Sequence, residues 1–291
     1  MIWTVLAMGL VAALAWGIHD FAVRVFSQTQ PLMVTLLSVL FFGFIFQMIL
    51  IGFTGGVDGV DPAAVGLSVA SGLGFLIASI GLYVAFKRGP VKLVAPIIGS
   101  YPIAALILAS IAGVPSSWTQ WAAVAAIVGG IAAVALSAHE SEKSGHRLSP
   151  TIGPTIGPTI GIAMISSVSF ALTFQFGQDA AAIADERLTI AITRVVALMV
   201  LAVGLLMTRQ NLLPSRKAVP LLIFMGLMDT IALYCVLSAG GMDGAHFATA
   251  VSSIFGLITV LLAAVFLKER LNKMQWCGVM ITFGGIAYLA L

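Results

Sequence analysis

Residues 120–136 read QWAAVAAIVGGIAAVAL, and residues 275–291 read QWCGVMITFGGIAYLAL. The two stretches lie 155 positions apart and share nine of seventeen residues. Gln120-Trp121 answers Gln275-Trp276, and Gly129-Gly130-Ile131-Ala132 answers Gly284-Gly285-Ile286-Ala287. Two copies of one unit, laid end to end, give this pattern. The number of membrane crossings per copy then decides the architecture. An odd number turns the second copy upside down in the bilayer, and inverted repeats of that kind build many secondary transporters.

Composition places the chain in a membrane. Of 291 residues, 60% are hydrophobic and only 9% charged, with mean hydropathy +1.11. Soluble domains carry about 25% charged residues. The length holds about ten spans of roughly 20 residues with short joints, and leaves no room for a separate soluble domain. A net charge of +3 is too small to suggest nucleic acid. Cys235 and Cys277 both fall in apolar runs, which favours packing over a disulfide or metal site. The N-terminal run lacks a basic leader and a small-residue cleavage site, so it reads as the first permanent span.

Ten apolar runs follow, at about 1–24, 31–53, 63–86, 91–113, 119–138, 159–179, 188–208, 218–238, 245–267 and 274–291. In lipid they must be helices, since a strand leaves its backbone groups unpaired. Turn-forming or charged residues mark the joints, among them Gly55-Gly56, Asp61-Pro62, Arg88-Gly89-Pro90, Pro115-Ser116-Ser117, Pro214-Ser215 and Gly240-Gly241. The expected division is a five-helix repeat at 1–138, a polar linker at 139–158 and a second five-helix repeat at 159–291. The linker runs into three copies of Pro-Thr-Ile-Gly at 150–161, which reads as simple duplication. The fold class is therefore an all-α membrane protein: ten transmembrane helices as two inverted five-helix repeats around a central cavity.

Charge tests the inversion independently. Of fourteen Lys and Arg, twelve lie in odd-numbered joints: Arg24, Lys87, Arg88, Lys92, Lys143, Arg147, Arg209, Arg216, Lys217, Lys268, Arg270 and Lys273. Arg187 alone lies in an even joint, and Arg194 lies within a span. The even joints hold Asp58, Asp61, Asp179, Asp185, Glu186 and Asp243 instead. Lys and Arg mark cytoplasmic loops, so both termini are expected outside the cytoplasm, with a bacterial inner membrane as the setting.

Ala15-Trp16-Gly17 near the end of span 1, Leu267-Lys268-Glu269-Arg270-Leu271 followed by Gln275-Trp276, Gly278 and Gly284-Gly285, and Arg194 in span 7 together carry a family resemblance. Over its whole length the chain resembles the drug/metabolite transporter superfamily, and within it the ten-helix EamA-type permeases. It is most similar there to the YddG-type exporters of aromatic and other hydrophobic amino acids. The resemblance implies a cavity between the halves, lined mainly by spans 1, 3, 4, 6, 8 and 9, with spans 5 and 10 at the periphery. There are departures. Gly113-Val114-Pro115 stands where the second half has Lys268-Glu269-Arg270, and Val39 stands opposite Arg194. The two halves of the substrate site are therefore expected to differ.

A charge at mid-bilayer costs at least about 2.5–3.5 kcal/mol, so ionisable residues inside spans are candidates for function. These are His19 and Asp20, Arg194, and Asp229. Asp20 stands four residues before Arg24, a spacing that allows an ion pair. One reading makes His19 or Asp20 a proton or substrate-amine site; the other makes them an interfacial pair with Arg24. Asp229, halfway along span 8, either faces a cavity or bridges to Arg194. Asp229 and Asp20 are the proton-coupling candidates, Asp20 the weaker because Arg24 could hold it ionised. Trp16, Tyr83, Ser100, Tyr101, Gln175, Tyr234, Ser252 and Ser253 offer the remaining polar and aromatic lining for a substrate, although each alone could be packing. Pro96 and Pro102 permit span 4 to bend, and Gly72, Gly74 and Gly81 give span 3 a small-residue face.

The spans hold no phosphate loop, metal-ligand cluster or nucleophile–base set, so no enzyme activity, cofactor or metal is expected. The leading reading is a secondary transporter exporting small neutral amino acids, aromatic or otherwise hydrophobic, by alternating access. Its partners are the small-molecule substrate and the lipid bilayer, as a monomer rather than an obligate oligomer. The alternatives are a carrier of another small metabolite or drug and, in a different class, a non-transporting pore or assembly protein.

Overall fold

The structure is a computed structural model that describes residues 2–55, 59–111, 117–143, 156–210, 212–269 and 271–289. Gly56, Asp58, Pro115, Ser116, Arg147, Arg270 and the Pro-Thr-Ile-Gly copies before Ile156 lie outside the described residues. The elements are α1 (Ile2–Phe26), α2 (Leu32–Phe53), α3 (Pro62–Arg88), α4 (Val91–Ile98), α5 (Tyr101–Ile111), α6 (Trp118–Lys143), α7 (Ile156–Ile183), α8 (Glu186–Met207), α9 (Val219–Leu237), a 3-10 turn at Ser238–Gly241, α10 (Ala245–Ser252), α11 (Phe255–Phe266) and α12 (Lys273–Leu289). No strand occurs among the described residues.

Eight helical stretches among the described residues are long and apolar enough to cross a bilayer, counting α4–α5 and α10–α11 as one each. Trp118–Ala133 in α6 is apolar but shorter. α12, at 17 residues, rises about 26 Å, just under the thickness of a hydrocarbon core. Among the described residues, eight spans and one shorter apolar helix are thus counted, against the ten spans expected. The linker also differs from its expected bounds. α6 runs on to Lys143, and α7 begins at Ile156, so the last Pro-Thr-Ile-Gly copy is helical. Pro158 fits there because the first helical turn has no N–H to donate inward.

The molecule is apolar on its outside and hydroxyl-rich within. Leu10, Val11, Leu14 and Ile18 form one exposed stripe on α1, and Met199, Val200, Val203 and Leu206 another on α8. Buried Ser and Thr bond backbone carbonyls instead. Ser166 Oγ donates to Ala78 O at 2.6 Å and Ser71 Oγ to Thr173 O at 2.9 Å, tying α3 to α7. Gly74 and Gly81 make that approach possible: a Cβ would sit 2.8 Å from Thr173 Oγ1 and 2.9 Å from Ser166 Cβ. Of the two cysteines, Cys235 is half-buried, but Cys277 is exposed on α12 and packs no helix interior. The chain is a multi-pass integral membrane protein.

Two spans are broken, at Gly99-Ser100 and at Ser253-Ile254. The breaks have different causes. Pro102 has no N–H for the carbonyl of Ile98, and Pro96 none for that of Lys92. The second break needs no proline. Ser252 and Ser253 turn their hydroxyls back onto Thr249 O at 2.7 Å and Ala250 O at 2.6 Å, and the backbone tightens to i−3 bonds there.

Cross-helix contacts sort the joints into two ends. At one end, Arg24 NH1 donates to Phe86 O at 2.6 Å, Arg24 stands 3.7 Å from Glu269, and Lys92 Nζ donates to Gln275 Oε1 at 3.0 Å. Joints one, three and nine therefore meet. At the other, Gln47 Nε2 donates to Arg187 O, Arg187 NH1 to Thr54 O, and Gln178 Nε2 to Ala245 O. Joints two, six and eight meet there.

The halves interlock. α1 packs on α9, α10 and α11, while α7 packs on α3, α4 and α5. The two helices first matched by sequence, α6 and α12, pack on each other. A Cβ at Gly130 would sit 2.6 Å from Gly278 O and 2.5 Å from Thr282 Oγ1; one at Gly285 would sit 3.1 Å from Ala123 O and 2.7 Å from Ile127 Cγ1. Residues 123, 127 and 130 are the 155-offset counterparts of 278, 282 and 285. The contact is reciprocal, and it pairs rising numbers on one helix with falling numbers on the other.

Candidate functional site

The spacing of polar residues on each helix aims them at one place. Trp16, His19 and Asp20 fall at i, i+3 and i+4 on α1, one face of a helix. Phe75, Ser79, Leu82 and Tyr83 make the matching stripe on α3, and Phe170 and Phe174 a pair on α7. With Tyr101 of α5, Asp229 of α9 and Phe255 of α11 they enclose a single cavity. Its volume is about 20 Å³, room for about one water molecule. Those six helices correspond to spans 1, 3, 4, 6, 8 and 9.

One wall is aromatic. Tyr101 stacks on Phe255 at 14° with ring centroids 6.4 Å apart, and Phe170 stacks on Phe174 at 17° and 5.7 Å. Trp16 lies 5.4 Å from Phe174, and Tyr101 meets Phe174 edge-on at 5.1 Å. Such offset and edge contacts suit the ring quadrupoles. Tyr101 is anchored from behind: its hydroxyl donates to Thr249 O at 3.0 Å and pairs with Ser252 Oγ at 2.6 Å.

The other wall is acidic. Asp229 was open to two readings, and the structure gives it both positions. It lines the cavity, and its Oδ2 accepts from Arg194 NH1 at 2.9 Å. Its Oδ1 accepts from Trp16 Nε1 at 3.1 Å. Arg194 is fully buried and packs beside Gly43, with its guanidinium carbon 5.9 Å from the centroid of Phe75. It does not line the cavity itself.

Asp20 has a different setting. Its Oδ1 lies 2.8 Å from His19 Nδ1. When the carboxylate is ionised it only accepts; Nδ1 then carries the proton, and Nε2 is left to accept from the Tyr83 hydroxyl at 3.4 Å. Asp20 Oδ2 is buried with no hydrogen-bond partner among the described residues. The expected pair with Arg24 does not form. Arg24 turns outward along the helix to Phe86 O and Glu269, where it caps the end of α3. An i, i+4 spacing permits contact but does not compel it when a carbonyl is closer.

Five sequence candidates stand elsewhere. Ser100 lines a separate apolar groove of about 260 Å³ between α4–α5, α6 and α7. Gln175 is exposed and bonds Asp179 on its own helix at 3.0 Å. Tyr234 is half-buried away from the cavity. Ser252 stands behind Tyr101, and Ser253 bonds its own backbone at the break. The residues missed were Phe75, Ser79, Leu82, Phe170, Phe174 and Phe255. Helical periodicity of the aromatics on α3 and α7 was the signal that could have found them.

One crystal structure of a protein superposes with TM-score 0.71 over 99% of this chain and 98% of its own, at 16% identity. That likeness shows the fold alone. Among curated proteins none matches. The model of the EamA-like transporter family matches twice, at residues 3–136 and 157–291. These two matches take in nearly the whole sequence, and the chain belongs to the EamA-like transporter family.

Proposed function

We propose that the chain exports small neutral amino acids with aromatic or other hydrophobic side chains, by alternating access across a bacterial inner membrane. The observation that carries this reading is the cavity between the halves: aromatic on one wall, acidic on the other, at the meeting of six helices. Once the halves part and widen the void, a hydrophobic side chain packs on the rings, the ammonium group meets Asp20, and the hydroxyl of Ser79 donates to the solute's carboxylate. Multiply anionic solutes such as sugar phosphates fit poorly, because two carboxylates line the cavity and Arg194 stands behind Asp229, outside the lining. A void of about 20 Å³ between rings is also unlike a water-filled pore.

Two inverted five-helix repeats, ten helices in all, support the movement. The double family match, the broken helices 154 positions apart at Gly99 and Ser253, and the reciprocal antiparallel contact of α6 with α12 favour a pseudo-two-fold axis in the membrane plane. The odd-joint end, rich in Lys and Arg, faces the cytoplasm, and both termini face out. The broken helices flank the cavity and can pivot there. A proton or solute gradient drives the cycle, and one chain is the working unit.

Cells expressing the protein should tolerate toxic aromatic amino-acid analogues at several-fold higher concentration than cells expressing Phe174→Asp. Equal sensitivity of the two strains, at equal protein level in the membrane, overturns the substrate assignment.

A further inference from the structure

We infer that the His19–Asp20 pair is the exchange site of this carrier, where a substrate ammonium group and a proton compete for one buried carboxylate oxygen. The inference rests on the chain being a carrier of amino-bearing solutes, and it names the group on the protein that couples such a solute to protons.

Three observations carry it. First, both oxygens of Asp229 already hold a donor, Arg194 on Oδ2 and the Trp16 indole on Oδ1, whereas Asp20 keeps one oxygen with none. Second, Asp20 is 1% exposed and lines the cavity, yet its Oδ2 has no partner among the described residues. A buried, unpaired carboxylate oxygen is costly, and either a proton or an ammonium N–H relieves it. Both cannot occupy it together. Third, the charges facing the cavity do not balance. Asp20 and His19 come from α1, Tyr83 from α3, Tyr101 from α5 and Asp229 from α9, with Arg194 of α8 behind Asp229. α7 and α11 contribute only phenylalanine rings. With a neutral imidazole, one negative charge is left over, and one positive charge offsets it.

The exchange is then simple. In the empty carrier a proton from water adds to the pair, on Asp20 Oδ2 or on His19 Nε2. When the solute enters, that proton returns to water and an ammonium N–H donates to Oδ2 in its place. His19, held to Oδ1 through Nδ1, fixes the carboxylate so that Oδ2 points at the solute. Asp229 serves as the counter-ion of Arg194.

Calorimetric titration of the purified full-length protein in detergent tests this. The probes are L-phenylalaninamide, which has the ring and the ammonium group but no carboxylate, and 3-phenylpropionate, which lacks the ammonium group. Titrations in two buffers of different ionisation enthalpy count the protons released. Phenylalaninamide should bind wild type with release of up to about one proton, and its affinity should fall by about tenfold per pH unit once the pair is proton-loaded. Asp20→Asn should weaken it by at least about tenfold and abolish proton release, and Asp20→Glu should restore the release. 3-Phenylpropionate should not bind. Wild-type affinity independent of pH, or unchanged proton release in Asp20→Asn, overturns the inference; the pH series decides alone if Asp20→Asn fails to fold. L-Phenylalanine in the same assay separates the two readings. If the amide binds with proton release and the amino acid does not bind, the exchange site stands and amino-acid export falls. If the amino acid binds and the amide does not, export stands and the exchange site falls.

Discussion

Trp16 and Asp229 are 213 positions apart in the chain and share a 3.1 Å hydrogen bond at the cavity wall. The bond joins the first helix of one half to the third helix of the other. On its far side Asp229 grips Arg194 at 2.9 Å. Asp229 therefore ties α9 to α1 and to α8 at the cavity wall. Removing one partner of a buried ion pair typically costs about 3–5 kcal/mol. Arg194→Ala and Asp229→Ala should each lower the melting temperature sharply in detergent, and the double variant should lose much less than the sum. Additive losses would mean that the two side chains are not coupled. Trp16→Phe keeps the ring but leaves Asp229 Oδ1 without its donor, and should cost about 1–3 kcal/mol.

The α6–α12 contact makes a sharper demand. A side chain at Gly130 or Gly285 would collide with the opposite helix, whereas Gly129 and Gly284 have nothing within 4 Å. Gly130→Leu and Gly285→Leu should each destabilise by about 1–3 kcal/mol through overpacking. Gly129→Leu and Gly284→Leu should stay within about 0.5 kcal/mol of wild type. Thermal unfolding of the four variants compares them directly. A large loss at only one of the two buried glycines would argue against a reciprocal interface.

Orientation has its own test. A reporter active only in the cytoplasm should be silent when fused after Leu291 and active when inserted within Ser137–Leu148. The opposite pattern reverses the sidedness and leaves the helix packing untouched.

On the proposed function, the aromatic wall sets solute preference. Phe174 touches Trp16, Tyr101 and Phe170. Stacking of this kind is worth about 0.5–1.5 kcal/mol beyond area burial. Phe174→Ala should weaken L-phenylalanine binding by roughly three- to tenfold, and binding of L-alanine much less. Equal losses for both solutes would show that the wall does not read the side chain.

Much of this was legible in the sequence because a bilayer constrains it. Apolar runs fix where helices lie, and the Lys/Arg split grouped the joints that Arg24, Lys92 and Glu269 bring together at one end. Azimuth was harder. His19 and Asp20 were identifiable because ionisable residues are rare in spans, and Trp16 because it shares their helix face. Gln175 was misplaced because a polar residue in a span also has a local answer, here Asp179 one turn on. The break at Ser253 was hidden because serine back-bonding leaves no proline to mark it. Ser252 and Ser100 lay close in sequence to cavity residues but one rotation step off the lining face. Asp20 was ranked below Asp229 on the assumption that Arg24 would hold it. Phe86 O and Glu269 take Arg24 instead, which removes that ground for placing Asp20 second.

Counterflow tests the central claim most directly. Proteoliposomes preloaded with unlabelled L-phenylalanine and diluted into trace labelled L-phenylalanine should accumulate label transiently, saturably, and without any imposed gradient. Alternating access requires this, since a loaded site must return from either side. Wild type should show the overshoot, and the Arg194→Ala variant should lose it where it folds. Absence of label uptake above protein-free liposomes, or a substrate-independent ion conductance in its place, would contradict the claim that this chain is an amino-acid carrier.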